Sequence, residues 1–441
     1  MQKFHLKLAA CSFLILAGSI ARADLNLPIS PAAAGSDGVF NPANNNPIDL
    51  SQAVTGTWDM VSPDPGKGVY DPDKWIIVFK YSSVNIASGR TVTFINHSSR
   101  APVVWLVAGD TGLDPNAGNV TIAGVVDLNG KNGINVIDAQ SSADSGPGGG
   151  RGGRPSNILV GLEGSAGFGA GAGRYDLSTN FFHGAGGSYA TIAAAAMASL
   201  QGRTYGNASV LPLLGGSGGA GGRHTTATNI AGGGGGGGAI LIAATSTVTV
   251  TGTVRANGGS AYSPHIHGGG GSGGAIRIVA DIVSGTGLKQ AVGSAGGYFG
   301  GVGRIRVEAN DASGLTDGTP PIEFGFPADP VIVVPPPASP TLTITEVESQ
   351  AVPSDPKASL GFPLPPDVTI SNPFPISIRI EARDMPLDWV VTLRLVPRHG
   401  ADLRLPAVML PGGTEALSVW EVSNVQVSNG FHSLQAHAVA P

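Results

Sequence analysis

Seven consecutive glycines at 232–238 run through Ala239 into the apolar phrase Ile240-Leu241-Ile242-Ala243-Ala244. Glycines at 268–271, 273 and 274 lead likewise into Ile276-Arg277-Ile278-Val279-Ala280, and Gly300-Gly301-Val302-Gly303 into Ile305-Arg306-Val307-Glu308-Ala309. Such repetition signals stacked units, each unable to bury its own apolar face. The glycines themselves admit two readings. One is flexible linker; the other is extended backbone, packed closely and hydrogen-bonded to its neighbours. Regular alternation with good strands favours order for the glycines around 239–310, and leaves those at 146–173 open.

A second repeat sets the register. Val120-Thr121-Ile122-Ala123-Gly124 leads to Asn129-Gly130, and Val248-Thr249-Val250-Thr251-Gly252 leads to Asn257-Gly258. Glycine at the fifth place bends a strand, and Asn-Gly closes a turn. Strands that turn corners and return in register predict a mainly β fold, a glycine-rich parallel β-helix or β-solenoid over residues 48–310. Residues 24–47 read as an extended lead-in and 191–199 as a short helix. Pro320-Pro321, Pro330 and Pro335-Pro336-Pro337 mark 311–340 as a semi-rigid linker. Beyond it, Ile376-Ser377-Ile378-Arg379-Ile380-Glu381 and Val391-Thr392-Leu393-Arg394-Leu395 alternate apolar with polar. About seven short strands are expected over 341–441, as in an immunoglobulin-like or fibronectin-like β-sandwich.

Residues 1–23 have the pattern of a secretory signal peptide: Lys3 and Lys7, an apolar run too short to span a bilayer, then Ala21-Arg22-Ala23. Cys11 follows Leu8-Ala9-Ala10, but the apolar run continues past it, unlike a lipoprotein signal. The expected location is therefore secreted, extracellular or cell-surface. Cleavage after Ala23 would remove the one cysteine, and with it disulfide or thiolate chemistry. No other apolar run is long enough for a transmembrane span. Removing Lys3, Lys7 and Arg22 from the 25 basic residues leaves 22 against 30 acidic ones, a formal charge of −8. That balance argues against a nucleic-acid partner.

The glycine-led phrases, with Tyr205-Gly206-Asn207 and Pro212-Leu213-Leu214-Gly215-Gly216-Ser217-Gly218-Gly219, resemble a group of exported glycine-rich bacterial proteins without assigned activity. The resemblance spans roughly residues 50–310 and carries over no catalytic residue. At the level of architecture the chain is similar to parallel β-helix proteins, which include polysaccharide lyases, adhesins and passenger domains. Fold does not decide function among them.

Candidate chemistry is sparse. The chance-prone Gly-x-Gly-x-x-Gly strings lack the strand–helix context of a nucleotide site. His265 and His267 can share a strand face, but as a loop-tip pair without further ligands. Asp110, Asp114 and Asp127 belong to the densest aspartate run, with Asp138 and Asp144, and are candidates for calcium, which takes several oxygens. Aligning the strand phrases puts Trp105, Leu241, Arg277 and Arg306 in one outward column. Arg277 and Arg306, with Trp105, are thus candidates for meeting an acidic glycan. The expected function is a non-enzymatic structural or adhesive scaffold with a polysaccharide or cell-envelope partner. The alternative is a β-helix carbohydrate-active enzyme, a lyase or hydrolase with clustered carboxylates. Ice or mineral binding would need a Thr-x-Thr ladder, which is confined to residues 247–253.

Overall fold

The computed structural model describes residues 24–110, 112–134, 142–157, 161–178, 181–224, 230–261, 268–294, 298–358, 364–371 and 375–441. The leader, Asp138, His265 and His267 lie outside them. The fold is mainly β. Among the described residues no helix is long and apolar enough to cross a membrane. The helix expected at 191–199 is not formed; a single 3-10 turn occupies Ala198–Leu200.

Parallel strands stack in three columns. The first runs Ile76–Ile86, Val103–Val107, Ala239–Ala244, Ala275–Ser284, Arg304–Asp311, Glu323–Gly325. The second pairs Ile76–Ile86 with Val120–Ile122, then Thr247–Val250, then Ala275–Ser284. The third is Thr91–Val92, Val125–Asp127, Thr253–Arg255 and Leu288–Gln290. Ile76–Ile86 and Ala275–Ser284 are long enough to serve both the first and second columns. Their pairings therefore close a ring of six parallel strands, a feature the repeat pattern alone does not foretell. The two copies of the Val-Thr repeat lie side by side, Val120 opposite Val248 and Val125 opposite Thr253. Gly252 donates its N–H to Ile122, and Gly124 to Ile86, at equivalent corners. A Cβ on Gly252 would overlap the Gly124 carbonyl, so only glycine permits this stacking.

Alternation sends one set of side chains inward. Ile77, Val103, Ile240, Ile276 and Ile305 form one ladder, and Phe79, Trp105, Ile242, Ile278 and Val307 the next. All belong to one buried core with Ile86, Ile122, Val250, Val126 and Val254. Each such fully buried side chain stabilises by roughly 1.5–3 kcal/mol. The outward ladder Val78, Val104, Leu241 is also covered, by Leu27, Val210, Leu213, Val331 and Val333. Residues expected to link the two parts thus include the strand Glu323–Gly325 and two buried valines.

The glycine tracts are ordered by a different rule. Gly232, Gly235 and Gly238 donate to Ile134, Lys131 and Leu128; Gly233 and Gly236 donate to Gly153 and Gly150; Gly234 and Gly237 donate to Gly269 and Ser272. The partner segment changes at every residue and recurs every third. That is a backbone with three residues per turn and no internal hydrogen bonds, the polyproline II geometry. Residues 216–222 and 269–274 follow the same period: Gly216, Gly219 and Gly222 donate to Gly237, Gly234 and Ala231, while Gly269 and Ser272 donate to Ala220 and Ser217. The segment 232–238 gives hydrogen bonds to three neighbouring segments and accepts them from others, including Gly146, Gly216 and Gly259. A Cβ on Gly235 would overlap the Asp144 carbonyl oxygen, and one on Gly236 the Gly216 carbonyl oxygen. Glycines at 148–153, for which the sequence gives no preference, join the same bundle.

The C-terminal residues form two antiparallel sheets. One contains Thr341–Val347, Gln350–Ala351, Ile376–Arg383, Val408–Met409 and Ser418–Val425; the other contains Val390–Pro397, Leu403–Pro406 and His432–Val439. They enclose one apolar core that includes Ile378, Ile380, Leu393, Leu395 and Trp420, with Trp389 partly buried against it. Among the described residues eight strands form where about seven were expected, Leu403–Pro406 and the short Gln350–Ala351 among them.

Candidate functional site

Trp105 does not belong to the outward column. It pairs with Phe79 and Ile242, one residue out of the expected register, and is fully buried in the inner core. Val104 takes the place beside Leu241. Arg277 and Arg306 do stand side by side, but Arg277 is buried rather than displayed. Its Nε and Nη2 donate to the Glu308 carboxylate at 3.2 and 2.9 Å, and its Nη1 to the Ile332 carbonyl at 2.7 Å. Arg306 Nε donates to the same carboxylate at 3.2 Å and Nη1 to the Phe324 carbonyl at 3.1 Å. Both guanidiniums are thus engaged within the fold.

The aspartates likewise serve local turns. Asp110 accepts from the Gly112 amide; Asp114 accepts from the Ser82 hydroxyl and the Asn116 amide; Asp127 pairs with Arg255 at 2.8 Å. Hydroxyl donation, first from Ser83, holds the Asp114 carboxyl below its ordinary range. Among the described residues, no three His, Cys, Asp or Glu side chains are grouped to hold a metal ion.

A cleft of about 340 Å³ lies instead where the glycine-rich part meets the C-terminal sheets. Its walls combine Trp75, Phe168 and Tyr205 with Arg100, Arg151 and Lys357. Trp75 and Arg100 both hold positive φ, 52° and 59°. Left-handed backbone at a non-glycine residue costs about 1–3 kcal/mol and gathers at ligand-holding sites. Trp75 is fixed by donating its indole N–H to the Ser99 carbonyl at 2.9 Å. Tyr205 donates to the Gly215 carbonyl at 2.6 Å and accepts from Ser217 at 2.9 Å. Arg100 is paired with Asp144 and donates to Ser145 at 3.0 Å. Arg151 lies 4.0 Å from the same Asp144 carboxylate. Burial, then the neighbouring Arg100, pushes the Arg151 guanidinium down to about 10, so it stays cationic at neutral pH. Two arginines therefore share one carboxylate, leaving net positive charge beside aromatic faces. The contributing residues are far apart in sequence and come from turns, so no local motif announces them.

A larger cavity of about 750 Å³ opens between the two C-terminal sheets. Leu342, Ile344, Val347, Leu395, Phe431 and Leu434 make it chiefly apolar, and among the described residues its lining contains no Lys or Arg. No family model matches this chain, and no curated protein or solved structure matches it.

Proposed function

We propose that this chain is an exported, non-enzymatic adhesive scaffold that binds an acidic polysaccharide of the cell envelope in the cleft between its two parts. In this reading residues 48–310 are a β-solenoid with an attached glycine bundle, and 341–441 an immunoglobulin-like or fibronectin-like sandwich. The in-register columns support the solenoid, with the six-strand ring as a consequence of two long strands. Two antiparallel sheets around one core support the sandwich.

The observation that carries the binding role is the strained Trp75–Arg100 wall beside Arg151 and Lys357. Aromatic faces suit the apolar faces of sugar rings, and guanidiniums suit carboxylates. Among the described residues the cleft lining contains no Asp or Glu, whereas glycoside hydrolysis by the usual route needs two carboxylates. A glycan array with purified protein tests this. Acidic glycans should bind, and Trp75→Ala or Arg151→Ala should weaken binding at least tenfold. Release of reducing ends or unsaturated sugars would favour the enzyme; acidic-glycan binding unchanged in both variants would remove the cleft from the account.

A further inference from the structure

We propose that the outward face of the strands Val390–Pro397, Leu403–Pro406 and His432–Val439 holds an oxyanion between Arg404, Arg203 and His437. On this face Arg404, Arg394 and Gln435 stand in one row, and Pro406, Thr392 and His437 in the next. Charge on the face is unbalanced. Asp402, whose side chain is wholly buried, receives Arg394 Nε at 2.8 Å and Arg174 Nε at 3.2 Å. Arg394 also donates to Gln435 and to the Gly167 and Gly169 carbonyls, so its donors are used. Arg404 Nε stops 3.9 Å from Asp402, beyond hydrogen-bonding reach.

Among the described residues, two buried polar atoms here lack partners, Arg404 Nε and His437 Nε2. Such atoms are costly unless something meets them. Arg203, on the opposing glycine-rich side, is exposed and close enough for its charge to act on both residues. Among the described residues, three guanidiniums, those of Arg174, Arg394 and Arg404, therefore lie within 4 Å of the Asp402 carboxylate, and Arg203 adds its charge to Arg404 and His437. Thr392 and Pro406 add no charge between Arg404 and His437. A sulfate, phosphate or carboxylate group supplies what is missing: negative charge and several acceptor oxygens matched to the guanidinium fork. Gln435 lines the cleft and also accepts from Arg394 on this face, so the two sites are neighbours.

Isothermal titration of the full chain at constant ionic strength tests the site, with sulfate, phosphate and an oligogalacturonate as ligands and chloride as control. Saturable binding of at least one oxyanion is expected, at least tenfold weaker in Arg404→Met and in Arg203→Met. Tighter binding of the oligogalacturonate than of inorganic ions would identify a sugar carboxylate as the source; inorganic binding alone would identify a free ion. Sulfate binding that survives Trp75→Ala separates this site from the cleft. Because Arg203 is exposed, its variant keeps the test valid if Arg404→Met does not fold. Heats no greater than with chloride, or wild-type oxyanion affinity retained in both arginine variants, would overturn the proposal.

Discussion

Arg277 and Glu308 form a two-pronged ion pair on the outward face of the first column, both side chains more than nine-tenths buried. The arginine lies beneath the Ile332 carbonyl, which takes its remaining nitrogen. This tie fastens the extended segment around residues 331–333 to the stack, together with the buried Val331 and Val333.

Removing one partner of a buried pair leaves an uncompensated charge, which costs about 3–5 kcal/mol. Glu308→Ala should destabilise by that order in urea unfolding. The double variant Arg277→Leu/Glu308→Leu should cost less than Glu308→Ala alone, because the deeply buried Arg277 charge is then gone and Arg306, the carboxylate's other partner, is partly exposed and keeps its bond to the Phe324 carbonyl. Equal stability of Glu308→Ala and wild type would show that the pair is solvated in solution.

The glycine bundle makes a steric prediction. Gly235→Val and Gly236→Val each place side-chain atoms into a neighbouring backbone carbonyl. Overpacking of this kind costs about 1–3 kcal/mol per site. The double variant should lower the thermal midpoint clearly, whereas an exposed linker would change stability by roughly 0.5 kcal/mol or less. Thermal unfolding followed by circular dichroism distinguishes the two.

Acid should loosen the junction. Burial, then the charges of Arg394, Arg404 and Arg203, pushes the His437 imidazole down to about 4; Asp402, held by Arg394 and Arg174, is the one carboxylate among these groups. Between pH 6.5 and 4 the unfolded chain binds a proton at this residue that the folded chain does not. Stability therefore rises with pH through that window. The penalty is absent above pH 6.5 and grows to about 3 kcal/mol near pH 4. His437→Asn should remove that part of the slope when urea midpoints are compared at pH 7, 5.5 and 4.5; an unchanged slope would mean that His437 is not depressed.

Arg394 also ties the two parts together through the Gly167 and Gly169 carbonyls, and Arg174 reaches Asp402 from the other side. Arg394→Met should accelerate proteolytic release of a fragment beginning near Pro340. Release at the wild-type rate would show that these bonds do not hold the junction.

The columns were legible where side chains encode them. Val120 and Val248 head phrases with the same Val-Thr start and the same fifth glycine, and they pair in space. The phase of Trp105 is not legible, because Val103-Val104-Trp105-Leu106-Val107 is apolar at every position. Without alternation, nothing in the sequence fixes its phase. Proline content suggested a linker near Val331 and Val333, but only tertiary contact shows them buried. The bundle partners of Gly235 were illegible for a simpler reason: a residue without a side chain carries no record of what it packs against. The arginine face has no local signature in the sequence, because Arg174, Arg394 and Arg404 come together at Asp402 only after folding.

Amide hydrogen exchange at residues 232–238 tests the central claim, that the glycine tract is built structure. Every one of these seven N–H groups donates to a carbonyl of another segment. Exchange there should be slowed by several orders of magnitude and should match the protection of the neighbouring strand Ala239–Ala244. Exchange of 232–238 at the rate of an unstructured peptide, beside a protected 239–244, would contradict the account.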